Sequence, residues 1–284
     1  MKAHITGLDI QKADENSVAN LTIHVNEATE ESFYSQFDLE KCPTIPFEAI
    51  RISDSDIDLL KMVIMNYRGH RSLNILVSGP VGSGKTETVR CIVKGMGKTS
   101  LTVVSVGHEF LRKDISGSAS RIRALNATLA HARSNHSVML CDDADSLLKT
   151  FSKAGNNYGR ISTLCDLLES EGNLNFFCVR NTEHIDPALM RRFDLILRLP
   201  EKDSERDRLK MWAAAVKKYS FEDYFSDEAQ KRLARFPCDA GEIDRVLRNL
   251  CHLSGIPVDK MMKLAEQLID NKLQMMQELD AELE

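Results

Sequence analysis

The sequence predicts an α/β protein: a five-stranded parallel sheet flanked by helices, followed by an all-helical unit. Three observations predict it. Between Leu73 and Pro200, short apolar runs alternate with helical patterns, as strands buried on both faces of a parallel sheet require. A glycine-rich junction, Gly79 to Thr86, separates the first run from the helix that follows it. After Pro200 the strand signals stop and helical periodicity takes over.

Taken in order, residues 1–45 have the weakest pattern. LTIHV (21–25) alternates and reads as a strand, and Glu27 to Glu40 is acidic with Phe33, Tyr34 and Phe37 interspersed. A segment this short makes a marginal core alone. It reads as an N-terminal arm or the tail of a small element. Ser53 to Tyr67 reads as a helix: a serine caps it, acids fill its first turn, and Ile57, Leu60 and Ile64 form an apolar face. Strands are expected at 73–79, 101–107, 137–143, 175–181 and 194–200, with helices at 86–96, 121–134 and 161–170 between them. Helices at 204–219, 226–236, 239–253 and 257–279 complete the chain. The domain reading is therefore an arm (1–45), an α/β domain (46–200) and a helical domain (201–284). Trp212 is expected in the helical core. Met261, Met262, Leu264, Leu268, Leu273, Met276 and Leu279 form a stripe whose start packs there.

Composition narrows the function. The hydrophobic share of 43% and charged share of 28% are those of a globular chain, which excludes wholesale disorder. A net charge of −5 weighs against coating nucleic acid through bulk positive charge. No apolar run approaches the roughly 20 residues of a membrane span, and no basic-then-apolar leader opens the chain. A cytoplasmic protein without a membrane partner is expected. The seven cysteines lack a CxxC pair and read as buried free thiols. Neither they nor the eight histidines have zinc-site spacing.

The chemistry concentrates in two places. Gly79-Pro80-Val81-Gly82-Ser83-Gly84-Lys85-Thr86 fits GxxxxGK[ST] at every fixed position, between an expected strand and an expected helix. Triphosphate oxygens need many donors at close range. Glycines let backbone N–H groups curl around them, and the helix N-terminus adds its dipole. Lys85 would meet the β- and γ-phosphates, and Thr86 would offer its hydroxyl to Mg²⁺. The second place is Val138-Met139-Leu140-Cys141-Asp142-Asp143, which carries an acid pair to the C-terminal end of a buried strand, where open α/β sheets bind ligands. Asp142 would hold Mg²⁺, and Asp143 would polarise an attacking water.

A later strand ends at Asn181 and is followed by Ile185-Asp186-Pro187-Ala188-Leu189-Met190-Arg191-Arg192-Phe193-Asp194. With the P-loop and the acid pair, this resembles an AAA+ ATPase module, of the AAA type with a second region of homology, over about residues 46–255. The short RRFD turn resembles a bacterial group of such proteins. The resemblance implies sheet order 5-1-4-3-2, a helical lid, and ATP between the domains with adenine near Ile50–Asp54. It implies ATP contacts from Gly79 through Glu87 and from Asp142, with Mg²⁺ on Thr86 and Asp142. Asn181 would be the sensor-1 residue that orients the water. Arg191 and Arg192 would reach the ATP of an adjacent subunit as arginine fingers, which requires a ring, usually a hexamer.

The sequence departs from the family in three places. Asp143 stands where glutamate is usual, so its carboxylate falls roughly 1.5 Å short, and a displacement of that size can cost about a hundredfold in rate. The stretch Phe110 to Gly117 has Asp114 or Ile115 where an aromatic pore residue is usual, and adds Arg112 and Lys113. Gly241-Glu242-Ile243-Asp244-Arg245 offers Arg245, or Arg248 beyond it, as a sensor-2 arginine, one position out of register. The leading expectation is an ATPase that remodels a protein substrate. Its alternatives are an ATP-dependent switch or scaffold with weak hydrolysis, and a nucleic-acid motor or loader, which the acidic balance disfavours.

Overall fold

The structure, a computed structural model, describes residues 34–42, 44–106, 118–149, 157–170, 172–200, 203–252 and 257–283. The strand expected at 21–25 and the Phe110–Gly117 stretch lie outside them. The chain divides into two compact units: Met1–Cys42 with Arg51–Pro80 and Lys85–Leu199, and Pro43–Ile50 with Val81–Gly84 and Pro200–Glu284.

In the first unit, α1 (Asp54–Asn66) is capped by Ser53, whose hydroxyl accepts from Asp56 N. It buries Leu60, with Ile57 and Ile64 half-buried beside it. Five strands follow the expected runs: β2 (Leu73–Ser78), β3 (Ser100–Ser105), β4 (Val138–Asp142), β5 (Leu174–Val179) and β6 (Leu195–Arg198). Every residue of β2 and β5 is buried, which is why these runs are continuous rather than alternating. Helices α2 (Lys85–Gly95), α3 (Ser118–Ser134), α4 (Asp145–Leu148), α5 (Asn157–Glu169) and α6 (Pro187–Met190) connect them. Leu76, Met139, Leu140 and Phe177 form the centre of the sheet.

The five expected parallel strands are present, and among the described residues the sheet has a sixth, because β1 (Ser35–Asp38) joins it antiparallel to β3. The order is β1-β3-β4-β5-β2-β6, so the five parallel strands keep the 5-1-4-3-2 arrangement and β1 is added at one edge. Part of the supposed arm is thus sheet. Its SQFD sequence has no apolar alternation, so side-chain anchors hold it instead. The Tyr34 hydroxyl lies 2.8 Å from His131 Nδ1, and the Arg90 guanidinium stands 4.7 Å over the Phe37 ring.

Among the described residues the second unit contains a short 3-10 turn (Phe47–Ala49) and four helices: α7 (Glu205–Lys218), α8 (Asp227–Leu233), α9 (Ala240–Cys251) and α10 (Val258–Leu283). Each of the first three starts on a side-chain cap. Ser204 and Asp239 form capping boxes with Asp207 and Glu242, and the Ser226 hydroxyl accepts from Ala229 N. Trp212, Phe225, Leu233, Leu247 and Met261 fill the core, as expected for Trp212 and the start of the α10 stripe. The side chains of Met276 and Leu279 lie outside the described residues. None of the seven cysteines is paired, and six are buried. Cys251 is exposed, against expectation, because it ends α9 on its outer face. No helix among the described residues is long and apolar enough to cross a membrane.

Candidate nucleotide site

The glycine-rich junction leaves the end of β2 and enters α2. Gly79 N donates to Val179 O at 3.2 Å, tying the start of the loop to β5. Gly82 and Gly84 take φ of +79° and +85°, a conformation glycine adopts without the Cβ penalty. At Gly82 the constraint is doubled: an added Cβ would lie 1.9 Å from Asp239 Oδ2. Within that same unit, Gly241 N donates to Gly82 O at 2.9 Å. Burial pushes the Asp239 carboxyl above its usual range, against the Glu242 N–H that favours its charge, and the Glu242 carboxylate adds to the rise. Lys272 pairs with Glu242 at 2.5 Å.

Lys85 opens α2. Its ammonium donates to Gly79 O at 2.7 Å and Pro80 O at 2.8 Å, closing the loop on itself. Burial lowers its pKa, opposed by the carboxylates of Asp142, Asp145 and Asp143. The next residue completes the constellation: Thr86 Oγ1 donates to Asp142 Oδ2 at 2.7 Å. β4 places Asp142 at its C-terminal end, and Asp142 Oδ1 accepts from Asp143 N at 3.1 Å. Asp143 has φ +52°, the left-handed region that aspartate tolerates better than most side chains. Ala144 N then donates to Cys178 O at 2.8 Å, and Asp145 Oδ1 accepts from Arg180 N at 2.9 Å. These bonds tie the turn after β4 to the end of β5. The thiols of Cys141 and Cys178, wholly buried beneath, are pushed well up by that burial and stay neutral.

The remaining expected residues fall in separate places. Asn181 is exposed two residues past β5, the strand between β2 and β4. The Glu87 side chain faces Arg90 at 3.9 Å on the first turn of α2. Val81 is 68% exposed at the loop tip, and Ser83 is buried. The two arginines differ. Arg192 is engaged within its own chain: Nε lies 2.8 Å from Glu169 Oε1, and Nη1 donates to Ala188 O at 3.1 Å. Arg191 is exposed and forms no ion pair among the described residues. In the helical unit Arg248 is paired with Asp244, while Arg245 is exposed on α9.

Sequence reading missed four participants: Asp239 against Gly82, Glu169 on Arg192, and the buried asparagines Asn74 and Asn175. One signal was available for the last pair. Both strands open on Leu-Asn, and they pair in register, Leu73 with Leu174 and Asn74 with Asn175.

The described residues hold no group of three or more His, Cys, Asp or Glu side chains placed to bind a metal. One hydroxyl and one carboxylate at 2.7 Å are nonetheless the partial set Mg²⁺ takes when substrate phosphates complete its shell. The positive-φ glycines, the ammonium and the helix start beside them suit phosphate oxygens. The residues present therefore fit Mg·ATP.

A six-stranded, mostly parallel sheet with this loop at its strand ends is consistent with a P-loop fold of the AAA kind. Residues 75–201 match the AAA family, the ATPase family associated with various cellular activities. That match supports an AAA-type ATPase, with nucleotide binding and ATP hydrolysis as its general chemistry. No curated protein matches the chain.

Proposed function

We propose that the chain hydrolyses Mg·ATP at Lys85, Thr86 and Asp142, that a neighbouring copy in a ring completes each site, and that the cycle remodels a protein substrate. The hydrogen bond between Thr86 and Asp142 carries this reading, because it joins the phosphate loop to the strand-end acid. Lys85 would compensate phosphate charge. The amides of the loop to Glu87 would hold the phosphates in place. Thr86 and Asp142 would hold Mg²⁺, which when bound stabilises charge on the phosphoryl oxygens. Asp143 would take the proton of the attacking water, with Asn181 orienting it. Of the two arginines, Arg191 is the better trans-acting finger, because Arg192 is engaged by Glu169. The protein substrate is supported by the resemblance and by the net charge of −5, which disfavours nucleic acid.

Light scattering with and without ATP, run beside phosphate release, tests the ring. Turnover per chain should rise with protein concentration, and Arg191→Ala should bind ATP yet lose that rise. Turnover independent of concentration, with no assembly, would refute the trans arrangement.

A second reading, a nucleotide-dependent switch with weak hydrolysis, is favoured by Asp143. Its side chain is one methylene short and its backbone is held at φ +52°. It predicts tight ATP binding with little phosphate release.

A further inference from the structure

Three asparagines lie in a row across the N-terminal ends of β2 and β5. Asn74 is 2% exposed, Asn175 0% and Asn173 6%. Asn173 Nδ2 donates to Asn175 Oδ1 at 2.9 Å, and Asn175 Nδ2 donates to Asn74 Oδ1 at 2.9 Å. The run has one direction, because the Asn175 and Asn74 oxygens are each taken by the amide behind them. At its head, Asn74 Nδ2 donates to Leu168 O at 2.7 Å and to Arg192 O at 3.1 Å. Buried amides destabilise a core unless every group is satisfied. Apolar side chains would serve these strand positions more simply, so the row calls for a purpose beyond packing.

The same residue grips the turn twice more. Asp194 N donates to Asn74 O at 2.8 Å, and Asn74 N donates to Asp194 Oδ2 at 2.9 Å. Between these anchors Phe193 stands edge-on to Phe177, with ring centroids 5.4 Å apart. Residues 192–194 are thus fixed to the start of β2, and exposed Arg191 projects from the residue just before them. From Asn74 the strand runs directly into Gly79, rising about 3.3 Å per residue.

We infer that Asn74 is a positioning residue: the Asn173–Asn175–Asn74 row fixes the Arg192 carbonyl and thereby aims Arg191 at the nucleotide of the adjacent subunit. This rests on the trans-acting arginine proposed above. One strand then joins the phosphate loop a subunit keeps to the arginine it lends.

Mixing full-length variants tests it. Asn74→Ala alone should lose about ten- to a hundredfold in kcat, the scale of a 1 Å misplacement, with ATP affinity within about twofold of wild type. Its own phosphate loop remains intact. Mixed with Lys85→Ala, which keeps its arginines but lacks the loop lysine, it should regain turnover above the sum of the separate samples. Arg191→Ala mixed with Lys85→Ala should do the same. If Arg191→Ala is rescued and Asn74→Ala is not, the positioning role is wrong and the trans reading stands. If neither is rescued, the trans reading falls and takes this inference with it. Should Asn74→Ala fold poorly, Asp194→Ala releases the same turn from its less buried side. Rescue of that variant by Lys85→Ala is the expected result, and full activity without mixing overturns the inference.

Discussion

Thr86 and Asp142 are hydrogen-bonded at 2.7 Å although 56 residues separate them in the chain. The bond exists because β2 and β4 flank β5 in one parallel sheet and end at the same edge. If Thr86 and Asp142 hold Mg²⁺ as proposed, their pairing makes a specific demand on it. Thr86→Ala should leave Mg-free ATP binding nearly unchanged and weaken Mg·ATP binding about ten- to a hundredfold, as expected for losing a bond to a charged partner. Calorimetric titration with and without Mg²⁺ reads the difference.

Asp143 separates an efficient ATPase from a switch. Asp143→Glu restores the missing methylene and should raise phosphate release by up to about a hundredfold if turnover is limited by reach. The left-handed backbone, with φ +52°, disfavours any Cβ. Asp143→Gly should therefore raise the free energy of urea unfolding by about 1 kcal/mol, while abolishing turnover.

The Gly82 and Asp239 contact is a steric one. A Cβ at Gly82 falls 1.9 Å from Asp239 Oδ2, on a backbone already at φ +79°. Gly82→Ala should cost about 1–3 kcal/mol in urea unfolding. Adding Asp239→Ala should return part of that loss, with a coupling energy of about 0.5–3 kcal/mol. Strict additivity would mean the carboxylate simply moves aside.

Asp239 also sets a pH dependence. Burial raises its folded-state pKa above the unfolded value. Its contribution to stability is then fully present below the unfolded pKa and is lost as pH rises through the folded one. Asparagine keeps the cap on α9, since its side-chain oxygen still accepts from Glu242 N. Asp239→Asn should match wild type below the usual carboxylate range and exceed it in thermal stability above, with the gap widening until pH passes the raised folded-state pKa and constant beyond it.

Much of the fold could be read from the chain because the information is local. Buried parallel strands are continuous apolar runs, and the glycine-rich loop is a contiguous motif between a strand and a helix. β1 escaped because a polar tetrapeptide becomes a strand only through distant partners, β3, His131 and Arg90. The same reason hid the difference between the two arginines. Arg191 and Arg192 are adjacent in sequence, and only Glu169 on α5, together with the carbonyl of Ala188, distinguishes them. Asn74 and Asn175 read as ordinary polar residues until the strand register places one beside the other.

Binding of Mg·ATP to the wild-type chain and to Lys85→Ala, followed by calorimetry at equal protein concentration, tests the central claim most directly. Saturable binding by wild type, with one nucleotide per chain and a severe loss in Lys85→Ala, is the expected result. No binding by wild type, or equal binding by both, would contradict it.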